Sequence, residues 1–312
     1  MKFKYLIVLL TAVSALIAQK TFAQNDHSEI ARKLPGYTSE KQFALIDSIV
    51  LPFQTFHTQG LVKAGGYYFL TAVDVKRWPE KYPSPVDGFD RDTGEGIGRV
   101  FKFDESGKLV DQVTIGEKSV YHPGGIDFDG KYIWIPVCEY RPHGNSAVYR
   151  MDPVTMKAEK MWDVRDALGA LVCVGNEEVI GMNWDSELFY KWARKADTHH
   201  GWELISKESN NMLTFKIQDA KYVGDRMMLC SGLNRWKQAD QSFALGAIQL
   251  MRTDRYQTLY QLPLMIKTPR GANICNNPFF PEMKNGKLRL SFAPDDDHTV
   301  IYIYEGRQNP GW

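Results

Sequence analysis

Two histidines, His57 and His122, each open a similar stretch of chain, with glycines close behind and a carboxylate at the far end. The first stretch is His57-Thr-Gln-Gly-Leu-Val-Lys-Ala-Gly-Gly-Tyr-Tyr-Phe-Leu-Thr-Ala-Val-Asp74. The second runs from His122-Pro-Gly-Gly-Ile-Asp to Cys138-Glu-Tyr-Arg-Pro-His143. Imidazoles exchange protons near neutral pH, so a pair of them suits general acid and base work. With Glu139 or Asp185 they also suit a divalent metal. No short His/Cys/Asp spacing enforces such a metal, and the sequence requires no cofactor. The structural alternative is that each histidine ties down a strand end. Glu139 and Asp185 are the candidate carboxylate pair if the chemistry is glycoside hydrolysis. Arg141 offers a planar fork for a substrate carboxylate, or a partner for Glu139. Trp184 offers a stacking face. The expected substrate-contacting set is Gln59, Arg141, His143, Asn183, Trp184, Gln218, Asp219 and Asn273.

These residues need a frame that brings distant stretches together. The turn dipeptide Asp129-Gly130 between two apolar runs is a hairpin signal. Units of this kind start near residues 57, 122, 169, 218 and 273, about 50 residues apart. Four short antiparallel strands per unit at such a spacing predict an all-β, five-bladed β-propeller. The last unit shows three strands before the chain stops, and Phe43–Phe53 supplies a spare one. Pairing the two closes the ring and covers an exposed edge. In this fold, strand starts and the loops after second strands meet on one face, where the polar residues named above are concentrated. The Pro- and Gly-rich segment 75–98 is expected to be a loop forming a partial lid.

The chain begins with a secretory signal. Lys2 and Lys4 precede the apolar run Tyr5–Ile17, and Thr21-Phe-Ala23 offers a cleavage site. Residues 1–23 are therefore expected to be removed and the protein to be periplasmic or secreted. Residues 24–42 are expected to be a flexible leader, and 43–312 a single propeller domain. No further segment is apolar enough to span a membrane. Lys plus Arg is 38 against 37 for Asp plus Glu, and without Lys2, Lys4 and Lys20 it is 35 against 37. No basic field supports nucleic-acid binding. The expected partner is a small-molecule or glycan substrate, met by a monomer. Export permits disulfides, and Cys138, Cys173, Cys230 and Cys275 can pair across unit boundaries or stand as small buried hydrophobes.

The runs Tyr121-His-Pro-Gly-Gly-Ile-Asp, Trp134-Ile-Pro-Val-Cys-Glu-Tyr-Arg-Pro and Gly181-Met-Asn-Trp-Asp-Ser-Glu-Leu-Phe-Tyr resemble an uncharacterised family of bacterial propeller-like proteins, a domain of unknown function. That resemblance covers most of the chain and implies a propeller without an activity. Thr58-Gln-Gly-Leu is similar to propeller-type glutaminyl cyclases, but Phe69-Leu-Thr-Ala stands where that family carries its catalytic Glu. Export, the His and carboxylate groups and the Trp and Arg beside them lead to a carbohydrate-active enzyme, a glycoside hydrolase or a polysaccharide lyase. In the lyase case His57 or His122 is the base and Arg141 neutralises a uronate. The alternative is a non-catalytic propeller that binds a glycan or a protein.

Overall fold

The computed structural model describes residues 28–198, 200–211 and 215–307, so the expected signal sequence lies outside the described residues. The chain is all-β and propeller-like, and most described residues lie in antiparallel sheets, several of them of four strands. Strand β1 (Phe43–Val50) comes first but belongs to the last sheet. Sheet 1 contains β2 (His57–Ala64) and β3 (Tyr67–Arg77), after which a separate hairpin, β4 (Lys81–Val86) and β5 (Phe89–Arg91), interrupts the order. It finishes with β6 (Glu95–Phe103) and β7 (Leu109–Ile115). Sheet 2 begins on β8 (Val120–Pro123) and β9 (Asp127–Phe128), both paired to β10 (Ile133–Glu139), and continues with β11 (Ser146–Met151) and β12 (Ala158–Val164).

Sheet 3 is β13 (Leu168–Val174), β14 (Glu178–Asn183), β15 (Leu188–Arg194) and β16 (Trp202–Ser209). Sheet 4 is β17 (Lys216–Tyr222), β18 (Met227–Gln238), β19 (Gln241–Arg252) and β20 (Thr258–Leu264). Sheet 5 is β21 (Phe279–Lys284), β22 (Lys287–Phe292) and β23 (Val300–Gly306), with β1 antiparallel to β23 from Phe43 opposite Gly306 to Val50 opposite Val300.

Burial explains the strand compositions. Second strands such as β10 are buried along their whole length and read as continuous apolar runs, whereas outer strands such as β16 are mostly exposed. A fully buried strand needs apolar residues on both faces, and an edge strand does not.

The first strands of the sheets meet at the centre. Gly125 donates its amide to Gly169 O at 2.8 Å and its carbonyl accepts from Leu171 N at 3.1 Å, a parallel link between sheets 2 and 3. A Cβ on Gly60 would lie 2.8 Å from Gly124 O, and one on Gly125 would lie 2.6 Å from an Asp219 carboxylate oxygen. Only glycine permits these approaches.

Asp219, fully buried, stands at this meeting point and is a structural pin rather than a substrate contact. Its Oδ2 accepts from Leu61 N and Phe279 N, both at 3.1 Å, and its Oδ1 accepts from Ala220 N and the Lys221 ammonium. Asp127 does the same on the other side, with Oδ2 accepting from Cys173 N and Tyr222 N at 3.0 Å. Two carboxylates thereby tie together first strands from all five sheets.

Three local expectations differ from the structure. Residues 28–42 are packed rather than loose. α1 (Ser28–Lys33) and the turns after it bury Ile30, Leu34 and Tyr37 among Val223, Leu229, Leu288 and Tyr304 of sheets 4 and 5. Full burial of an Ile or Leu side chain contributes roughly 1.5–3 kcal/mol, which is what holds the segment down. Segment 75–98 is mostly strand: it extends β3 and β6 and makes the hairpin β4–β5. The fifth unit's first strand begins at Phe279, and Asn273 lies before it, holding Leu264 O and Cys275 N with its own amide. The four cysteines are buried and free, in line with the small-hydrophobe alternative.

Candidate functional site

A polar, aromatic-walled cavity of about 490 Å³ opens where the first strands begin. His57, Gln59, His122, Trp184, Asp185 and Gln218 of the expected set line it. Trp78, Tyr140, Lys216, Arg235, Asn276, Asn277 and Asp296 join them.

A repeated backbone device delivers part of this lining. The first strands of sheets 1, 3 and 4 each carry a register shift near the start, between Thr58 and Gly60, between Leu168 and Ala170, and between Ile217 and Asp219. The extra residues are Gln59, Gly169 and Gln218, and all three line the cavity. A bulge leaves one residue outside the ladder and re-aims its side chain, a recurrent arrangement beside binding sites.

His57 is the histidine equipped for proton transfer. Its Nδ1 lies 2.9 and 3.1 Å from the two Asp296 carboxylate oxygens. A carboxylate on Nδ1 fixes the tautomer and leaves Nε2 as the basic nitrogen. His122 is different. Its ring is buried, with its centroid 4.1 Å from that of Tyr140, 5.7 Å from Trp184 and 6.1 Å from His57. Burial, followed by the charge of His57, pushes its pKa down to about 3, so the ring is neutral and weakly basic at any physiological pH. This is an environment for a wall residue, not for a general base. Its buried Nε2 and the buried Nε2 of Gln59 have no hydrogen-bond partner among the described residues.

Tyr140 is the hub of the wall. Its centroid lies 5.8 Å from Trp78 and 5.6 Å from Trp184. Burial, then the nearby Asp296, raise its phenol to about 12, so it holds its proton at neutral pH. The wall thus joins flat apolar faces to one protonated hydroxyl. Two cations also line the cavity: Lys216 pairs with Asp185 at 2.7 Å, and Arg235 donates to Asn276 Oδ1 at 2.8 Å and has no ion pair among the described residues.

The remaining expected site residues are placed elsewhere. Glu139 does not line the cavity. It accepts from Ser119 Oγ, Asn145 N and Arg141 Nε at 3.0–3.2 Å. Burial opposes its ionisation, but Arg141 and these donors outweigh burial and hold it below the usual carboxylate range. Glu139 and Asp185 are therefore not a facing carboxylate pair. Arg141 is held by Glu139 and lies 3.5 Å over the Phe89 ring, so it anchors the β4–β5 hairpin instead of gripping substrate. His143 is exposed in a tight turn, with φ of 58°. Asn183 is buried and bonded to Asp166 and Leu188 N. Asp219 and Asn273 serve the strand frame described above.

Lys216 and Asn277 carried no motif in the sequence. Trp78, Tyr140 and Asp296 sit in loops predicted to converge, and only their position after a second strand marked them; Arg235, expected in such a loop, lies on the extended strand β18. Among the described residues, no three His, Cys, Asp or Glu side chains gather to hold a metal ion, and no helix is long and apolar enough to cross a membrane. A separate depression of about 520 Å³ between sheets 3 and 4, lined by Glu208, Arg255 and Tyr256 among others, carries no comparable acid–base pair.

The chain belongs to the family of unknown function DUF6454, whose model matches residues 12–310. No curated protein matches it. Among solved structures it is similar to a glutaminyl cyclase from Myxococcus xanthus, at 12% identity over 85% of this chain and 97% of that one, with a TM-score of 0.50. A hypothetical protein from Leishmania major matches at 11% identity over 90% and 95% of the two chains, with a TM-score of 0.47. A luciferin-regenerating enzyme matches at 8% over 84% and 98%, with a TM-score of 0.45. At 12% identity the likeness to the cyclase is one of fold alone.

Proposed function

We propose that this member of the family is an exported carbohydrate-active enzyme of the lyase type, cleaving a uronate-containing glycan in the cavity around His57. The observation that carries the reading is the His57–Asp296 pair at 2.9 Å on a wall that also holds Trp78, Tyr140 and Trp184. The five sheets are the blades of one ring joined where β1 meets β23, and the protein acts as a monomer released by signal cleavage. The links that Asp127 and Asp219 make across first strands support the ring.

In this reading the sugar ring lies on the indoles. Arg235, with Lys216 behind it, neutralises the uronate carboxylate and so acidifies the neighbouring C5–H. His57 Nε2 takes that proton, the electron pair forms the C4=C5 double bond, and the C4–O4 bond breaks. The Tyr140 hydroxyl gives its proton to the departing O4, and the phenolate regains one from the His57 imidazolium. No water or oxidant is consumed. The lyase course is preferred over hydrolysis because Glu139 is committed to Arg141, and Asp296, which shares the cavity with Asp185, is committed to His57.

The test is incubation with a panel of uronans, read by the ultraviolet absorbance of the unsaturated product. Turnover is expected, with a fall of about 10²–10⁴-fold in His57→Ala. Unchanged turnover in that variant removes His57 from the reaction. Saturable binding with no product from any uronan establishes the binding-only alternative, for which the three-ring wall is already suited.

A further inference from the structure

We infer that the substrate is a chain that runs past His57 on both sides, with a uronate unit in one cavity and an uncharged unit in the next. The inference rests on the site reading given under Proposed function and narrows it to internal cleavage of a heteropolysaccharide.

A second cavity, of about 410 Å³, adjoins the first. His57, Trp78 and Asp296 line both. The acid–base pair and the exposed indole are therefore a shared ridge and not the end of a pocket. Each cavity falls within the about 300–1,000 Å³ typical of a small-molecule site. A ligand confined to the first cavity stops at His57. Only a ligand that continues over the ridge uses both, and the bond beside His57 is then internal to the chain. Trp78, 59% exposed, gives the ridge an apolar face for a ring to cross.

The two cavities differ in charge. Arg235 and Lys216 line the first, where they face Asp185 and the shared Asp296. The second adds Asp74 and Asp297 to Asp296 and has Lys76 as its lining cation. Asp74 is held by Lys76 at 2.9 Å and by Arg99 at 2.8 Å, so the negative excess rests on Asp296 and on Asp297, which accepts from Gln54. A uronate carboxylate entering there meets an excess of like charge. A neutral hexose or N-acetylhexosamine, recognised through its hydroxyls by Gln54 and the carboxylates, does not. The chain that fits both cavities alternates uronate with neutral units.

The experiment compares kcat/KM on two alternating polymers, hyaluronan and rhamnogalacturonan, with that on the homopolymer polygalacturonate, for the full chain and for Asp297→Asn and Lys76→Glu. Asn suits the positive φ at position 297, so the backbone is undisturbed. At least one alternating polymer is expected to be cleaved about tenfold or more faster than the homopolymer, the gap corresponding to one like-charge contact. Asp297→Asn is expected to narrow the gap several-fold and Lys76→Glu to widen it, with product size distributions showing internal cleavage. Equal rates on both polymer types, or release of terminal units alone, overturns this inference while leaving the lyase reading intact. Absence of product from every polymer overturns both.

Discussion

Asp219 is the residue whose removal tests most directly how the frame is held. It is fully buried, its partner Lys221 is 2% exposed, and the pair bridges sheets 4, 1 and 5. In Asp219→Ala the Lys221 ammonium is left buried without its counter-charge, a loss of about 3–5 kcal/mol for a broken buried pair. The amides of Leu61 and Phe279 lose their acceptor as well, each costing about 1–3 kcal/mol. The combined loss reaches at least the lower end of the about 5–15 kcal/mol that holds a folded domain. Asp219→Ala is therefore expected to unfold at much lower urea, or to fail to fold. Asp219→Asn keeps an acceptor for Leu61 N and Phe279 N but loses the charge and sets its NH2 against Ala220 N and the Lys221 ammonium. Adding Lys221→Met to it is expected to restore part of the loss, with a coupling of about 0.5–3 kcal/mol. Urea titration read by the fluorescence of the packed Trp134, Trp162, Trp192 and Trp202 measures each step. A loss below about 1 kcal/mol in Asp219→Ala, with no change in the denaturant slope, would refute the pin.

Two further outcomes follow from the same geometry. Burial raises Asp127 to about 7 and Asp219 to about 6, against the lowering effect of Lys221 and the backbone amides. The folded chain thus binds more protons than the unfolded one between about pH 4 and pH 7, and the stability tied to these protons is complete below that window and lost as pH rises through it. Asp127→Asn is expected to flatten that decline, and a stability–pH curve parallel to the wild type from pH 4 to 7.5 would contradict it. Glu139→Ala frees Arg141 from its partner and so loosens its contact over Phe89. Limited proteolysis within residues 78–92 is expected to quicken several-fold, and an unchanged cleavage rate would refute the anchor.

The all-β, propeller-like character was legible because every unit repeats the same physical demand. A buried second strand such as Ile133–Glu139 is apolar from Ile133 to Cys138, and glycine marks turns such as Asp129-Gly130 before it, so strand and turn signals recur at even spacing. The spare N-terminal strand was legible for the same reason: β23 needed a partner, and Phe43–Val50 supplied it. The leader misled because Ile30, Leu34 and Tyr37 are scattered among polar residues, and their burial depends on a groove that only the assembled sheets 4 and 5 provide. Segment 75–98 misled because Pro83 and Pro85 argue against a central strand, yet β4 pairs only with β5, in a two-stranded hairpin outside the main sheets where proline is tolerated.

The site was harder to read, and Gln218 and Asp219 show why. They are neighbours in sequence, and in a regular strand they would face opposite sides without any hint of which side was functional. The register shift between Ile217 and Asp219 decides it: Gln218 leaves the ladder for the cavity, and Asp219 returns to the centre to hold Leu61 and Phe279. The same shift sends Gln59 to the cavity and lets Gly60 approach Gly124. Bulges carry no residue signature, so a polar residue at a strand start reads the same whether it pins the axis or lines the mouth. The consequence is mechanical as well as informational. Gln218 precedes the Asp219 carboxylate and Gln59 lies two residues before Leu61, whose amide that carboxylate accepts, so both stand on tied backbone. Trp78 and Arg235 lie beyond it, on the extended strands β3 and β18 and the loop after β3, where the chain has room to adapt to what it binds.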